Sequence, residues 1–127
     1  MSSKIKTFTD LKAWKEGHKL VLEIYKITKN FPTEEKFVLG NQMQRAVISI
    51  TSNIAEGFGR QTYKEKLRFY YITQGSLTEI KNQLIIAKDL GYLNKEEFDK
   101  IAIQANESHK LLQGLITKTK EILNRNS

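Results

Sequence analysis

The sequence contains no cysteine, so disulfide bonds, thiolate metal sites and cysteine nucleophiles are excluded. Only two histidines are present, His18 and His109, which leaves little material for a metal site or a general base. One proline and seven glycines favour long helices over a loop-rich all-β fold. No apolar run approaches the roughly 20 residues that a membrane span needs, and none of signal-peptide length follows the N-terminus. We therefore expect a cytoplasmic protein that makes no membrane contact.

The rest of the composition is typical of one globular domain. Hydrophobic residues make up 39% of the 127 residues and charged residues 28%, and the formal net charge is +7. A chain of this length buries enough surface for a core of its own. We expect residues 1–127 to form a single domain.

Helical periodicity accounts for most of the chain, and no stretch alternates with the period of a strand. Thr62 with Glu65, and Asn94 with Glu97, have the spacing of capping boxes that begin helices. We interpret Gly57-Phe58-Gly59 as a helix stop that uses the left-handed conformation open to glycine. Connections of about three to five residues favour antiparallel neighbours, so the prediction is an all-α, up-down-up-down four-helix bundle. Its helices are predicted over about 10–30, 34–57, 63–90 and 95–124.

The first helix is expected to begin at Thr9 or Asp10. Its buried face is predicted from an apolar stripe at helical spacing, in which His18 fills the one gap. We interpret His18 as a buried or half-buried structural residue and His109 as a surface residue. The stripe consists of Leu11, Trp14, Val21 and Tyr25, and Ile24 and Ile27 widen it.

The third helix is apolar on more than one side. Four consecutive apolar residues, Phe69 to Ile72, point all round the helix, and Leu84 to Ala87 do the same near its other end. Two explanations fit. Either this helix is the most buried helix of a monomer, or its excess apolar face packs against another subunit.

The second helix has a polar face that includes Arg45, Ser49, Asn53 and Glu56. It is either a solvated surface or a polar seam, with Arg45 and Glu56 paired or hydrogen-bonded across helices. It contains no pair of a nucleophile and a base, so we do not interpret it as an active site.

Basic residues concentrate in two places. Lysines at helical spacing form a ridge on the first helix, which consists of Lys12, Lys15, Lys19, Lys26 and Lys29. Such a ridge either contacts phosphates or serves as an ordinary solubilising face. The second cluster lies near the turn between the second and third helices and consists of Arg60, Lys64, Lys66 and Arg68. Tyr63 lies inside this cluster, where it either stacks on a base or packs the turn.

The segment from Gln44 to Arg60, with its core Ser52-Asn53-Ile54-Ala55-Glu56-Gly57, resembles the signature of the bacterial four helix bundle protein family. This family is also called the ribosomal-RNA intervening-sequence protein family. The resemblance extends from about Phe8 to Leu123. Where the family often has two adjacent arginines, this chain has Gln44 and Arg45. Further matching stretches are 11–15, 31–35, 75–79 and 87–92, and Glu79 in the third of these joins the polar seam or interface.

The resemblance implies a ring-like homopentamer of four-helix bundles. It also implies relatives encoded inside large-subunit ribosomal RNA genes. A more distant relative is the accessory variability determinant of diversity-generating retroelements, which works with a reverse transcriptase and is thought to bind nucleic acid.

The expected function is that of a non-enzymatic module, without metal or cofactor, that binds RNA or DNA backbone through a basic surface. The expected contact residues are Lys12, Lys15, Lys19, Arg60, Lys64 and Arg68. The alternative is a scaffold that docks another protein, such as a reverse transcriptase.

Overall fold

The computed structural model describes residues 4–125, and every regular element in that range is helical, as predicted. A short 3-10 turn, Phe8–Asp10, precedes the first long helix. The second long helix, α2, consists of three consecutive parts: Thr33–Glu35, a π-helical turn at Lys36–Gly40, and Asn41–Gly59. The other long helices are α1 (Lys12–Thr28), α3 (Tyr63–Asp89) and α4 (Lys95–Arg125).

Local side-chain caps begin α3 and α4 where the sequence predicts them. The hydroxyl of Thr62 accepts a hydrogen bond from the backbone N–H of Glu65 at 3.1 Å. Before α4 the cap is reciprocal: Asn94 Oδ1 accepts from the N–H of Glu97 at 2.8 Å, and Asn94 N–H donates to Glu97 Oε1 at 3.0 Å. Each cap satisfies backbone N–H groups that the first helical turn leaves without partners.

The start of α1 differs from the prediction. Asp10 accepts hydrogen bonds from the backbone N–H groups of Lys6 and Thr7, and these bonds lower the pKa of its carboxyl group. They hold the chain in the short 3-10 turn. Leu11 is then extended, with φ −71° and ψ 130°, so α1 begins only at Lys12.

The four long helices surround one hydrophobic core. α1 packs mainly against α2 and α4, and α3 packs against the same two helices, so α1 and α3 lie diagonally opposite. Connections of three to five residues join successive helices. Large side chains that are fully buried come from every helix and include Leu20, Ile24, Met43, Ile50, Leu77, Ile80, Leu84, Ile101 and Leu112.

The predicted buried face of α1 is confirmed at Ile24 and Ile27, but its main stripe lies part of a turn away from the core-facing side. The side of α1 that enters the core carries Ala13, Gly17, Leu20, Ile24 and Ile27. A Cβ added at Gly17 would lie 3.2 Å from side-chain atoms of α2, so α2 approaches α1 closely at this small residue. The predicted stripe therefore runs along the edge of the interface, with Trp14 and Val21 half-buried and Tyr25 exposed.

The glycine stop of α2 also needs correction. Gly57 does not adopt the left-handed conformation; it is buried inside the helix, and a Cβ added there would lie 2.7 Å from Tyr70 Cε1. Gly57 therefore permits close packing of α3 on α2. The helix ends two residues later, where Arg60 becomes extended with φ −73° and ψ 152°. Within residues 4–125 only Gly91, after α3, has a positive φ, of 81°.

Candidate nucleic-acid interface

Segments that are far apart in the sequence meet at one end of the bundle. A cleft of about 260 Å³ is lined by residues from the segment before α1, the end of α2, the start of α3 and the end of α4. These lining residues include Ile5, Leu11, Phe58, Tyr63, Lys118 and Ile122. The start of α1, the α2–α3 turn and the end of α4 therefore lie close together, and the charges of all three contribute to one local field.

The α1 lysines lie on the outer side of this helix, away from the core. Lys12, Lys15 and Lys19 are all exposed. Lys19 forms an ion pair with Glu16, with Nζ 3.5 Å from Oε2, and this partner is itself mostly buried. Lys15 contributes to the low pKa of the Asp10 carboxyl group. Lys12 and Lys15 are thus the α1 lysines best placed for an external anion.

Arg60 is held by its own neighbours at the α2–α3 turn. Its guanidinium lies 3.2 Å from a carboxylate oxygen of Glu56 and 4.6 Å from the centroid of the Phe69 ring. Lys64 and Arg68 are exposed in the first and second turns of α3. They lie beside an open groove of about 700 Å³ that Tyr71 also lines. The exposed pair is therefore more available to a ligand than Arg60.

Lys66 has a structural role at the same turn. Its ammonium group donates a 2.5 Å hydrogen bond to the backbone carbonyl of Phe58, one of the last carbonyls of α2. The ammonium also lies 5.9 Å from the centroid of the Tyr63 ring. Burial lowers the pKa of Lys66, which marks partial loss of water around the amine. This arrangement favours the interpretation that Tyr63 packs the turn.

Two lysines of α4 lie between the α1 and α3 clusters, and the sequence reasoning missed them. Lys118 lines the same cleft as Leu11, and Lys120 lies 5.9 Å from the Tyr71 ring of α3. The basic residues at this end thus extend from α1 across α4 to α3. We call this set the basic end; its members are Lys12, Lys15, Lys64, Arg68, Lys118 and Lys120.

The polar face of α2 forms a hydrogen-bonded contact with α3. The hydroxyl groups of Ser49 and Ser76 lie 2.9 Å apart, and Asn53 donates from Nδ2 to both the carbonyl and the hydroxyl of Ser49. The predicted pairing of Arg45 and Glu56 across helices is not seen: Glu56 pairs with Arg60, four residues along the chain, while Arg45 is exposed. On α3, Glu79 accepts a hydrogen bond from Gln83 at 3.0 Å.

Both histidines differ from their predicted environments. His18 is exposed, and its ring stacks on Trp14 with a centroid distance of 4.8 Å and an interplanar angle of 11°. His109 is half-buried, and its Nδ1 accepts a hydrogen bond from Lys81 Nζ at 2.8 Å. Burial, and then the Lys81 charge, lower the pKa of His109. Across residues 4–125 no three His, Asp or Glu side chains gather in a way that could hold a metal ion.

The excess apolar residues of α3 lie on its surface in the single chain. Tyr71 and Ile72 are each 42% exposed, and Ile85 and Ile86 are exposed further along the helix. The explanation that α3 is the most buried helix of a monomer is therefore wrong. No helix within the described range is long and apolar enough to cross a membrane.

The comparisons with known proteins match this geometry of four packed helices. The model of the 23S rRNA-intervening sequence protein family matches residues 9–114. The chain belongs to this family. The match includes α1, α2 and α3 and the basic residues from Lys12 to Arg68, but it covers α4 only as far as residue 114 and so ends before Lys118 and Lys120. No curated protein matches the chain.

A solved structure supports the fold assignment. It is the 1.70 Å crystal structure of a protein with unknown function from the S23 ribosomal protein family of Bacteroides thetaiotaomicron VPI-5482. It superposes on this chain with a TM-score of 0.77 at 24% sequence identity, covering 83% of this chain and 95% of that one. The similarity shows that the two proteins share a fold.

Proposed function

We propose that the protein is a non-enzymatic, oligomeric four-helix bundle that binds the phosphate backbone of RNA or DNA through its basic end. The observation that carries the proposal is the convergence of basic residues from α1, α3 and α4 at one end. Three carboxylates near that end are engaged within the chain, Glu16 with Lys19, Glu56 with Arg60, and Asp10 with backbone N–H groups, while Glu65 lines the groove beside Lys64 and Arg68. Clustered, exposed cations are the usual electrostatic footprint of nucleic-acid binding.

The proposed mechanism is the release of counterions from the nucleic acid. Each phosphate contact contributes about −0.9 to the slope of log K against log salt for duplex DNA. If all six residues of the basic end contact phosphates, the slope is about −5 and affinity falls roughly 1000-fold between about 50 and about 200 mM salt. Binding of this kind discriminates little between sequences, because phosphate contacts carry no sequence information directly.

The test compares two pairs of lysines on the same helix. The double variant Lys12→Gln and Lys15→Gln removes two charges from the basic end. The matched control, Lys26→Gln and Lys29→Gln, removes two exposed lysines from the other end of α1. With a labelled 20-base-pair duplex, a length of about two helical turns, we expect the first variant to reduce the salt slope by about 2. The control should leave it unchanged; equal effects of both variants would contradict a localised site.

We further propose that successive helices run antiparallel and that five chains assemble into a homopentamer. The short connections and the contact of Gly17 with Ile50 support the antiparallel order, and the exposed apolar face of α3 supports assembly. Light scattering should give a mass five times the 14.7 kDa of one chain. Ile72→Glu should lower that mass, whereas Ile103→Glu on exposed α4 surface should not; a wild-type monomer would refute the assembly.

Binding without catalysis is the activity that the side chains support. His18 stacks on Trp14, and His109 accepts a hydrogen bond from a lysine, which is not a partner that would activate it as a base. We place the protein in the cytoplasm, where nucleic acid is available to the basic end.

The second candidate function is a scaffold that docks another protein, and the exposed Tyr71, Ile72, Ile85 and Ile86 favour it. In this case the apolar face of α3 contacts a protein partner. Ile85→Ala, further along α3 from the basic end, would then abolish capture of the partner from the native host and leave nucleic-acid binding intact. A capture that returns only nucleic acid and ribosomal contaminants would count against the scaffold.

A further inference from the structure

Three aromatic rings form a ladder on the surface of α1. The Phe8 ring meets the Trp14 ring edge-on at a centroid distance of 5.5 Å and an angle of 66°. The imidazole of His18 stacks on the Trp14 ring with a centroid distance of 4.8 Å and an interplanar angle of 11°. His18 is exposed although one of its faces is covered by Trp14, so its outer face is open. We call Phe8, Trp14 and His18 the aromatic ladder.

Core packing accounts for only part of this ladder. Trp14 is half-buried and packs against the core, whereas His18 is exposed. The core-facing side of α1 is formed by Ala13, Gly17 and Leu20, and the ladder lies beside it at the edge of the α1–α2 interface. Aromatic residues placed on a surface in ordered stacks present flat π faces, which bind other flat, polarisable groups.

The lysine ridge runs next to the ladder. Lys15 and Lys19 each follow a ladder residue by one position, so the ammonium groups form a second row, about 100° around the helix from the rings, over about two turns. Trp14 and His18 are separated by about 6 Å along the helix axis, as are Lys15 and Lys19. A surface that pairs cations for the backbone with rings for the bases is the general design of single-strand binding sites.

We propose that the aromatic ladder is a stacking platform for unpaired bases, so the protein prefers single-stranded nucleic acid to duplex. This inference rests on the proposed function, because Lys12 and Lys15 of the basic end supply the backbone contacts. An unpaired base stacks on the outer face of His18, with phosphates beside the lysines. In a duplex the bases are stacked on one another and paired, so their faces cannot reach the imidazole.

Trp14 gives a direct readout, because it is the single tryptophan of the chain. A base that stacks on His18 extends the ring stack that includes Trp14 and is expected to quench its fluorescence. The probes are unlabelled oligo(dT) and oligo(rU) of about 12 nucleotides, within the range of known single-strand site sizes, and a hairpin duplex of equal charge. We expect both single strands to quench the Trp14 fluorescence and the hairpin to quench it little. A comparison of oligo(dT) with oligo(rU) distinguishes DNA from RNA.

The decisive variant is His18→Ala, which removes the outer ring without changing the lysines. Base stacking on one aromatic side chain changes Kd by about 5- to 150-fold. For His18→Ala we expect the affinity for single strands to fall by about 5- to 10-fold, near the lower end of that range. Hairpin affinity and salt slope should stay unchanged. The matched control is Tyr25→Ala, an exposed aromatic further along α1 and outside the ladder, which should bind like the wild type.

The possible outcomes distinguish the aromatic ladder from the electrostatic function of the basic end. Equal affinity for single strand and hairpin, with no effect of His18→Ala, would overturn the ladder and leave the electrostatic function standing. An equal loss for both probes would also overturn it. Single-strand binding that depends on His18 but not on salt would keep the ladder and refute the basic end. Trp14 fluorescence that changes with protein concentration and not with oligonucleotide would instead show a second copy of the chain covering the rings.

Discussion

Gly57 offers the sharpest test of how α2 and α3 pack. A Cβ added at this position would lie 2.7 Å from Tyr70 Cε1 and 3.0 Å from Phe69 Cβ. Tyr70 is 2% exposed, and burial raises its pKa to about 12. Since the ring is buried and the Phe69 Cβ is fixed to the backbone, neither neighbour can move aside easily. Gly57→Ala therefore forces the two helices apart.

Two opposing effects set the magnitude. Replacing a helical glycine by alanine favours folding by about 1 kcal/mol, because alanine has the higher helix propensity. Overpacking a close contact costs about 1–3 kcal/mol, sometimes more. At 2.7 Å we expect the upper part of that range, so the free energy of unfolding should fall by about 1–2 kcal/mol.

The assay is chemical denaturation followed by circular dichroism. The control is Gly114→Ala on α4, where an added Cβ meets nothing within 4 Å and helix propensity acts alone. That variant should raise the free energy of unfolding by about 0.5–1 kcal/mol. The two glycines are thus expected to respond with opposite signs.

A Gly57→Ala variant as stable as Gly114→Ala would refute the reasoning. It would mean that α3 sits further from α2 than the structure shows, or that the ring relaxes without loss. A change in denaturant midpoint at unchanged slope would keep the comparison valid, since the slope reports the surface exposed on unfolding.

Two further predictions concern buried polar groups. The folded state lowers the pKa of His109 below 6.5, so as the pH falls through about 6.5 the unfolded chain takes up the proton first. The contribution of neutral His109 to the free energy of unfolding should therefore be present in full above that pH and be lost at lower pH. His109→Gln should flatten this part of the pH profile, and an unchanged profile would contradict the burial of the imidazole and its contact with Lys81. Ser108 is 1% exposed and its hydroxyl has no hydrogen-bond partner among residues 4–125. Ser108→Ala should raise the free energy of unfolding by up to about 1 kcal/mol in the same denaturation assay, whereas a clear loss would mean that the hydroxyl is satisfied.

The sequence predicts features that depend on neighbours within one turn of helix. The caps at Thr62 and Asn94 need only a residue three positions away, so their spacing is sufficient to place the starts of α3 and α4. The exposed apolar residues of α3 are also visible from the sequence, because a run of consecutive apolar residues cannot be buried on one side of a helix.

Features that depend on packing between helices escape the same reasoning. α1 has two rows of residues at helical spacing. The row with the aromatic residues was predicted to face the core, but the row that contains Ala13 and Gly17 does so. Small residues are informative only once the partner helix is known, as the contact of Gly17 with Ile50 shows. Gly57 was interpreted as a stop for the same reason, since its close neighbour Tyr70 lies on another helix.

The candidate site was predictable in part. Four members of the basic end lie in two local clusters of the sequence, Lys12 with Lys15 and Lys64 with Arg68. Counting charges along the sequence therefore finds them. Lys118 and Lys120 were missed because the last helix has an almost balanced charge in sequence, and only the fold brings its end beside Leu11 and Tyr71. Counting the charges at each end of the folded bundle finds these two lysines.

The salt dependence of binding by the unmodified protein tests the central claim most directly. Anisotropy of a labelled duplex should be titrated at several salt concentrations between about 50 and about 200 mM and plotted as log K against log salt. We expect a straight line with a slope of about −3 to −5, set by how many residues of the basic end contact phosphates. A slope near zero, or no binding at the lowest salt, would contradict it and make the net charge of +7 a property of solubility alone.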